Sequence, residues 1–598
     1  MNFEHEFEKL LKKVEKPGRY IGGEINEVHK DAGEYKTRFG FAFPDVYEIG
    51  MSYTGIQILY NILNEQKEIY CERIFAPGLD MEALMREKGV PLFTLETKTP
   101  VRELDMVGFT LQYELSYTNV LNLLSLAEIP FLSKDRKENM PFIVGGGPCA
   151  FNPEPLADIF DLFIIGDGEE QIVKLCEVHQ EWKASGEDKE GFLQRACKLS
   201  GVYVPSFYEP VYKENGEIRE IKKRYDGAPD RVKKCIVWDI NEVSFPENNI
   251  VPLIETVHDR AVVETFRGCS RGCRFCQAGM VYRPVRERTK ENILELSKKQ
   301  LKATGHEELS LLSLSTSDYS EFEPLVTELM QMCREDNVSL SLPSLRLDSF
   351  SFKVLDEIGG YKKSGLTFAP EAGTQRLRDV INKCITDENI YDSIDQATSL
   401  GWSTIKLYFM IGLPTETMED LDGIVETVKN ISRLCYKRRV KITVSVSNFV
   451  PKAHTPFQWE AQDSYEEFAQ KHNYLRDKLK IKGVSFNYHD SSTSIIEGVL
   501  ARGGRKVTEA LIKAWEKGNK FDGWSEHFNY SAWKESFAEA GIDIDFYTAR
   551  KREYDEIMPW DIIESVSKEF LIKENEKAKR AETTKDCRQG CEQCGINM

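Results

Sequence analysis

Three cysteines, Cys269, Cys273 and Cys276, stand on one short run with the spacing C-x3-C-x2-C. This feature constrains the fold most, because three thiols so close together predict that the loop is held around a common group. A cubane iron–sulfur cluster is bound by cysteine thiolates, and a full site uses four of them. Three ligands therefore predict a cluster with one iron open to another molecule, as catalytic metals keep an open position. The β-branched run 261–265 predicts a buried strand directly before the loop.

The residues around the cysteines help to distinguish an iron–sulfur cluster from a zinc knuckle and from three cysteines packed in a core. Gly268 and Gly272 allow the backbone to wrap closely around a cluster. A zinc knuckle would need four protein ligands in a closed site. Three cysteines packed in a core do not agree with Arg267, Arg271 and Arg274 beside them. The sequence therefore favours an iron–sulfur cluster over both alternatives.

The cysteine loop resembles the cluster-binding loop of the radical S-adenosylmethionine (SAM) superfamily, and Phe275, an aromatic residue directly before the third cysteine, fits that family as well. The resemblance implies that Cys269, Cys273 and Cys276 hold a catalytic [4Fe-4S] cluster. It also implies that the open iron binds SAM and cleaves it reductively to a 5′-deoxyadenosyl radical. Implied partners are SAM and a reducing protein such as a flavodoxin or ferredoxin.

The length of 598 residues is too great for a single core and predicts several domains. Residues 1–235 alternate short apolar strands with helical patterns, for example strands at 37–43 and 106–110 and a helix at 54–65. This rhythm predicts an α/β domain with an open, doubly wound parallel sheet. The basic stretch 219–234 lacks periodicity and predicts a connector to the next domain.

Glycine turns follow two predicted strands of this first domain, Gly-Gly-Gly-Pro at 145–148 and Gly-Asp-Gly-Glu at 166–169. With the segment Pro-Asp-Val-Tyr-Glu-Ile-Gly-Met-Ser at 44–52, they resemble a cobalamin-binding-type domain. The Asp-x-His-x-x-Gly motif that supplies an axial histidine in many cobalamin proteins is absent from residues 1–235. Whether cobalamin binds is left open, and if it binds, we expect no histidine ligand.

Residues 236–475 alternate strands with amphipathic helices. Strands are predicted at 261–266, 309–315, 338–342, 365–369, 403–411 and 440–449. Six βα units predict a central partial (β/α)6 barrel, which agrees with the radical SAM core. The active site is expected at the carboxyl ends of the strands, as in full barrels.

Two strand ends carry polar residues that the resemblance relates to SAM. Ser315, Thr316, Ser317 and Asp318 occupy the position of the family's motif for the SAM amino group, although its usual glycines are missing. A turn that caps the following helix is the alternative. Glu371 ends the fourth strand, where a carboxylate can accept hydrogen bonds from a ribose or an ammonium group.

Three further residues are predicted to bind SAM. Arg376 suits a carboxylate, since arginine pairs with it through two hydrogen bonds, but a helix-end charge is the alternative. Lys406 alternates with Tyr408 and Met410 on one face of the fifth strand. If that face points inward, the lysine needs an anionic partner such as SAM or a substrate. Gly412, in a Gly-Leu-Pro turn, resembles the start of the family's adenine-side loop.

Residues 476–598 combine helical patterns with many aromatic residues and predict a helical C-terminal region. Its end repeats the C-x3-C-x2-C spacing at Cys587, Cys591 and Cys594. A second iron–sulfur cluster or a zinc site is predicted there, with a fourth ligand from elsewhere. A flexible terminal tail is the alternative.

The remaining cysteines are scattered and are predicted to be small buried hydrophobic residues. They are Cys71, Cys149, Cys176, Cys197, Cys235, Cys333, Cys384 and Cys435. Basic residues beside the aromatic helices suggest a surface for single-stranded RNA, with lysines on an ordinary surface as the alternative. They are Arg502, Arg505, Lys506, Lys437, Arg438, Arg439 and Lys441.

The formal net charge of −18 argues against a general nucleic-acid coat. The start of the chain lacks the apolar region of a signal peptide, and no apolar run approaches the roughly 20 residues of a membrane span. We therefore expect a cytoplasmic protein with no membrane partner, whose thiols stay reduced.

Together these features predict a radical SAM enzyme that modifies a substrate the sequence does not identify, whether RNA, protein or small molecule. Methylation is the natural reaction if cobalamin binds, and a rearrangement or sulfur insertion if it does not. The alternative is a non-catalytic iron–sulfur or SAM-binding regulator, or an RNA-binding module, on the same fold.

Overall fold

The computed structural model describes residues 3–343 and 365–596. The N-terminal region is built on a six-stranded sheet in the order β2-β1-β3-β4-β5-β6, parallel throughout except for β6. Its strands are β1 (Thr37–Phe43), β2 (Ile69–Phe75), β3 (Met106–Thr110), β4 (Phe142–Gly146), β5 (Leu162–Ile164) and β6 (Val202–Tyr203). The strand order reverses between β1 and β3, and ligands of doubly wound sheets bind beyond the strand ends at such a point.

Helices cover this sheet, as the alternation of strands and helices predicts. They are α1 (Phe3–Leu11), α2 (Tyr47–Met51), α3 (Thr54–Glu65), α4 (Leu79–Lys88), α5 (Tyr117–Leu126), α6 (Glu169–Ser185) and α7 (Lys189–Ala196). Residues on both sides of β1 are buried, which explains its nearly continuous apolar sequence. The predicted bounds of β1, β3 and α3 are confirmed.

The connector predicted at 219–234 contains regular structure that the sequence did not indicate. β7 (Tyr208–Tyr212) and β8 (Ile218–Lys223) form an antiparallel pair, and β9 (Val232–Lys233) lies parallel to β19 (Ile563–Glu564). This second pairing ties the connector to the C-terminal region. Partners so distant along the chain leave no local pattern, which is why the pairing was missed.

Strands lie at all six predicted positions of the central region, and a further strand, β18, follows that region. In the described residues they form two parallel sheets, β10-β13-β14 and β15-β16-β17-β18. The strands are β10 (Ala261–Glu264), β13 (Glu308–Leu312), β14 (Ser339–Ser341), β15 (Leu366–Glu371), β16 (Thr404–Ile411), β17 (Lys441–Asn448) and β18 (Val484–Tyr488). Strand β18 lies in the region predicted to be helical and extends the second sheet.

A short antiparallel pair and a set of helices complete this region. The pair is β11 (Phe266–Arg267) with β12 (Arg286–Glu287). The helices are α8 (Ala278–Val281), α9 (Lys290–Thr304), α10 (Phe322–Asp336), α11 (Gln375–Val380), α12 (Asp387–Ser399), α13 (Met418–Cys435) and α14 (Tyr465–Lys478). Together they make the molecule a mixed α/β protein with a doubly wound N-terminal sheet and a parallel α/β core.

The C-terminal helices, except the last, share the hydrophobic core of the N-terminal sheet. These helices are α15 (Ser491–Arg502), α16 (Val507–Glu516), α17 (Tyr530–Glu539), α18 (Ile544–Tyr547) and α19 (Lys568–Lys579). The last packs in a separate cluster with Met280 and Trp459. Leu511, Trp533 and Phe537 belong to the cluster that also holds Val107 of β3. The Trp515 ring meets Phe131 edge-on at 4.9 Å. The aromatic residues therefore bind this region to the N-terminal domain.

Of the scattered cysteines, seven are buried as predicted, whereas Cys384 is exposed. In the described ranges, no helix has the length and apolar character needed to cross a membrane.

Candidate functional site

The cysteine loop lies between β11 and α8, and its glycines stand where the chain is closely approached, Gly268 by backbone and Gly272 by the Asn382 side chain. Gly268 has a φ of +83°, and a Cβ there would lie 2.5 Å from the carbonyl oxygen of Pro284. At Gly272 a Cβ would lie 2.9 Å from the amide nitrogen of Asn382. Both glycines thus hold the loop in the tight path predicted for them.

The turn after α11 contacts the cysteine loop through hydrogen bonds. The Arg274 backbone N–H donates to the carbonyl of Ile381 at 3.0 Å, and the Asn382 side chain donates to the carbonyl of Gly272 at 3.1 Å. Arg274 itself is fully buried, so the expectation that it would not lie in a core was wrong. Its guanidinium is compensated by the Glu574 carboxylate, 3.1 Å away.

The three thiols are half-buried on this loop. The Gly279 N–H points at the Cys276 sulfur, 3.4 Å away. In the metal-free protein, burial and the nearby Cys273 raise the pKa of Cys276 to about 11. In the described ranges, no three His, Cys, Asp or Glu side chains converge as they would on a single metal ion. Three half-buried thiols on one glycine-containing loop nevertheless fit a [4Fe-4S] cluster, in which thiolates bind separate irons.

The polar segment after β13 contacts the cysteine loop. Thr316, Ser317 and Asp318 form a single 3-10 turn, and the Ser315 hydroxyl donates to the Asp318 carboxylate at 2.6 Å. Arg271 of the cysteine loop pairs with that carboxylate at 2.5 Å. The structure therefore brings this predicted SAM segment to the loop. The alternative, a turn that caps the following helix through Ser317 or Asp318, is wrong, because the N-cap of α10 is Glu321 and that helix start has no side-chain cap hydrogen bond.

Glu371 lies at the end of β15 and next to the cysteine loop. Its φ of +67° is unusual for a residue with a side chain, and its carboxylate lies 3.2 Å from the Lys383 ammonium. Both groups act electrostatically on the Cys276 thiol. Phe275 packs against the apolar cluster that contains Ala372. Glu371 and Phe275 are therefore together at the cysteine loop, as predicted, with Lys383 as a neighbour that the sequence did not mark.

Two predicted SAM contacts already have protein partners. Arg376 pairs with Asp420 and donates to the carbonyl of Thr415 at 3.0 Å, which is the helix-end arrangement named as its alternative. Gly412 has a φ of +78° and donates its N–H to the Glu416 carboxylate at 3.0 Å. Their roles toward SAM stay predictions, since each would need a group not engaged in these bonds.

Lys406 lies on the less buried face of β16. The alternate residues Ile405 and Leu407 are fully buried against the helices, whereas Lys406 and Tyr408 face the opposite side. The Lys406 ammonium lies 4.6 Å from the centre of the Tyr408 ring. Its ammonium group thus lies over an aromatic face.

A cavity of about 650 Å³ joins the N-terminal sheet to the cysteine loop. Its walls are mostly apolar and include Phe39 and Phe41 of β1. Both glycine turns reach it, through Gly146 and Gly168, and so does Gly268, the residue before Cys269. The glycine turns singled out in the sequence and the cysteine loop therefore border one space.

Ion pairs fix the two domains together at the rim of this cavity. Arg267 pairs with Glu169 of the second glycine turn at 2.5 Å and with Glu264 at 2.8 Å. His258 also lines the cavity, and Arg260 donates to its Nδ1 at 2.8 Å. The sequence did not mark His258, because it follows the N-terminal domain by more than 20 residues and has no motif around it.

The C-terminal cysteines lie against the catalytic loop. The Cys587 backbone N–H donates to the carbonyl of Ser270, and the distance is 3.1 Å. Cys591 is exposed, and Cys587 and Cys594 are half-buried. The sequence predicted a site there without indicating where in the fold it would be.

Two of the arginines suggested to form an RNA-binding surface do not lie free on the surface. Arg502 is fully buried, and Arg505 pairs with Glu154 at 3.1 Å. His454, on the loop after β17, is buried and its Nε2 bonds the carbonyl of Phe151 at 2.9 Å. These groups join regions of the protein instead of facing a ligand.

A parallel α/β core carries a three-cysteine loop that faces the N-terminal sheet across the cavity. Residues 263–428 match the Radical SAM superfamily, and residues 55–205 match the N-terminal domain of radical SAM proteins. The chain is thus a radical SAM enzyme, for which a [4Fe-4S] cluster and SAM are the cofactors.

Several known proteins are similar over long stretches. An uncharacterized protein of Methanocaldococcus jannaschii is 27% identical over 506 residues, covering 82% of this chain and 97% of the relative. A tRNA-2-methylthio-N(6)-dimethylallyladenosine synthase of Pelotomaculum thermopropionicum is 24% identical over 271 residues, covering 44% and 58%. The radical SAM methyltransferase TsrM of Kitasatospora setae, solved with cobalamin and a [4Fe-4S] cluster, has 13% identity and a TM-score of 0.46, covering 69% and 75%.

Proposed function

We propose that this radical SAM enzyme holds cobalamin in the cavity between its two parallel sheets and methylates a carbon atom of its substrate. The observation that carries the proposal is the cavity itself, which joins both glycine turns of the N-terminal sheet to Gly268 at the start of the cysteine loop. A cofactor in this space would lie beside the catalytic cluster. That arrangement suits a methyl carrier working with a SAM-derived radical.

The walls of the cavity fit such a cofactor. Apolar rings line the sheet face, and binding pockets are typically apolar with a few placed polar groups. Gly146 leaves open space, because a Cβ built there meets nothing nearer than the Ile164 carbonyl oxygen at 3.8 Å. The rim charges Arg267 and Glu169 already pair with each other. A large, mainly apolar macrocycle edge is therefore compatible with the surroundings.

The histidine at the cavity does not offer a metal ligand in its present state. A guanidinium has only donors, so the His258 Nδ1 that it contacts must accept, and a neutral ring then carries its proton on Nε2. With Nδ1 engaged and Nε2 protonated, neither nitrogen has a free lone pair. Cobalamin is therefore proposed to bind without a protein nitrogen ligand.

When bound, the cluster and SAM supply one-electron cleavage to a 5′-deoxyadenosyl radical, and cobalamin supplies a transferable methyl group. The residues of this chain hold and orient these groups. Cys269, Cys273 and Cys276 are proposed as the cluster ligands. Glu371 is proposed to accept hydrogen bonds from the SAM ribose or ammonium group.

The other proposed SAM contacts are Phe275, Ser315, Thr316, Ser317, Asp318, Arg376, Lys406 and Gly412. The electron donor is proposed to be a flavodoxin or ferredoxin in the cytoplasm. The substrate is a methyl acceptor whose chemical class, whether RNA, protein or small molecule, the site does not select.

The proposal is tested by reconstituting the protein anaerobically with iron, sulfide and hydroxocobalamin, followed by desalting. We expect about one cobalamin per chain and, with dithionite and SAM, 5′-deoxyadenosine. The Gly146→Leu variant should lose cobalamin but keep its iron, since the new side chain fills only the cavity. Equal cobalamin retention by this variant would remove the cavity as its site.

The assignment of the three cluster ligands is tested with a separate variant. Replacing Cys269, Cys273 and Cys276 together by alanine should abolish 5′-deoxyadenosine formation, because methyl groups cannot ligate iron. Continued formation by this triple variant would show the assignment of the ligands to be wrong. SAM binding without cleavage by the wild-type protein would instead favour a regulator.

A further inference from the structure

We propose that Cys587, Cys591 and Cys594 hold a second iron–sulfur cluster that passes electrons to the catalytic cluster. The inference rests on the radical SAM activity of the chain but not on cobalamin binding. Its basis is the position of the C-terminal segment, which repeats the catalytic spacing and lies directly on the catalytic loop.

Three contacts join the two cysteine segments. The Cys587 N–H donates to the Ser270 carbonyl at 3.1 Å, and the Ser270 hydroxyl donates to the Asp586 carboxylate at 2.7 Å. The Arg271 guanidinium lies 3.2 Å from the same carboxylate. Since Ser270 follows Cys269 directly, one ligand of each cysteine set flanks a shared backbone hydrogen bond. Two clusters held this way would be neighbours.

Further contacts show that the segment is anchored and is not a loose tail. Arg588 donates to the backbone carbonyl of Asp318 and pairs with Glu287. The Thr584 N–H donates to the Asn382 side chain at 2.8 Å. The carbonyl of Cys594 accepts the Ser567 N–H at 2.8 Å. The cysteine segment is thus fixed at its start, middle and end.

Exposure gives the two sites different roles. Cys591 is exposed, so the C-terminal set lies at the protein surface, within reach of a protein that carries electrons. The catalytic thiols are half-buried under the loop and beside Glu371 and Lys383. A surface cluster next to an inner one forms an entry point for electrons.

The electron balance is simple. A reduced flavodoxin gives one electron to the C-terminal cluster and is itself oxidised by one electron. That cluster passes the electron to the catalytic cluster and returns to its oxidised state. The catalytic cluster then reduces SAM, whose sulfur–carbon bond breaks to give methionine and the 5′-deoxyadenosyl radical.

The test compares two reductants on the full chain with Cys587, Cys591 and Cys594 all changed to alanine. This variant should contain about four fewer irons per chain, as expected for a cubane, and lose the corresponding paramagnetic signal of the reduced protein. With dithionite, a small molecule that reaches the inner cluster directly, it should still cleave SAM. With reduced flavodoxin, cleavage should fall at least tenfold. Cys197→Ala, which removes a thiol at the C-cap of α7 in the N-terminal domain, is the control and should match wild type in all readouts.

Each other result overturns the proposal. Unchanged iron means that the segment holds no cluster, and loss of one zinc ion instead of iron means a zinc site. Lost iron with undiminished flavodoxin-driven cleavage means a cluster that is not a relay. Loss of dithionite-driven cleavage as well would make the segment a structural part of the catalytic loop, not a route for electrons.

Discussion

The ammonium group of Lys383 lies 3.2 Å from the carboxylate of Glu371, and both act electrostatically on the thiol of Cys276. Glu371 holds this place with a φ of +67°, a conformation that costs energy for any residue other than glycine. Such positions persist where the surrounding structure fixes them, and they concentrate at functional sites. The pair thus marks the side of the cysteine loop where SAM is proposed to bind.

Changing Glu371 to Gln should weaken SAM binding. The amide keeps the shape of the side chain but replaces a charged acceptor, and hydrogen bonds to charged groups contribute about 1.5–3 kcal/mol. We expect the Kd for SAM to rise by roughly tenfold or more. Isothermal titration of the reconstituted protein measures it.

The control for this variant is Glu388→Gln, an exposed carboxylate at the start of α12. It should leave the Kd unchanged. If Glu371→Gln binds SAM as tightly as wild type while retaining its iron, then Glu371 is a structural partner of Lys383 and not a SAM ligand.

Local patterns in the sequence predicted the elements well. Strand β1 was predicted at its observed bounds, since it is a short apolar run between turns. The glycines of the cysteine loop were also predicted correctly, because a tight path leaves few other residues possible. Glu371 was found from its position at a strand end. These features depend on neighbours that are close in the sequence.

Features that depend on distant partners were not predicted. Arg274 looks like a surface residue in the sequence, and only Glu574, 300 residues away, explains its burial. Lys383 reaches Cys276 through the turn after α11, which no motif marks. Arg502 was suggested as a surface cation, but it is buried and donates to the carbonyl of Thr548 at 3.1 Å. Charge in a sequence does not reveal which charges are compensated inside.

Replacing Arg274 by Met should destabilise the protein strongly. Arg274 and Glu574 are both buried, and removing the guanidinium leaves this carboxylate to Lys577, 3.1 Å away, and to the Thr584 hydroxyl. Breaking a buried ion pair in this way costs about 3–5 kcal/mol. Urea denaturation of the metal-free protein, followed by tryptophan fluorescence, should show a clearly lower midpoint.

The matched control is Arg580→Met, which breaks the exposed pair between Arg580 and Glu582. Solvent screens an exposed ion pair and leaves it little effect on stability, so the midpoint of this variant should hardly move. Equal midpoints for the two variants would contradict the importance assigned to the buried pair.

Acid should weaken the contact between the core and the N-terminal domain at His454. Burial lowers the pKa of His454 to about 4, with the nearby Lys234 acting in the same direction. In the unfolded chain the same imidazole has a pKa near 6.5. Between pH 4 and pH 6.5 the unfolded state therefore binds this proton more readily than the folded state. The contribution of His454 to the free energy of unfolding is therefore complete above about pH 6.5. It falls as the pH drops toward 4, and about 2 kcal/mol is lost at pH 5.

The variant His454→Gln keeps a donor for the Phe151 carbonyl but cannot titrate. It should be less stable than wild type at pH 7.5 and lose less stability between pH 7.5 and pH 5. His179 and His472, whose pKa values burial also lowers to about 4, add to the slope of both proteins equally. Identical pH slopes for variant and wild type would show that His454 does not contribute to the acid sensitivity.

Cobalamin bound to this protein should show no nitrogen ligand from the chain. In the reduced cob(II)alamin state, a nitrogen on cobalt splits the paramagnetic signal into triplets, and we expect no such splitting from a nitrogen of the chain. The reason is the bond from Arg260 to His258, which uses Nδ1 and leaves the proton on Nε2. His258→Ala should therefore bind cobalamin with the same spectrum.

Arg260→Met is the more demanding variant, since it frees Nδ1 and allows the ring to change tautomer. Nitrogen splitting in wild type that disappears in His258→Ala would make His258 a cobalt ligand and contradict the prediction. Splitting that appears only in Arg260→Met would confirm that Arg260 keeps this histidine from the metal.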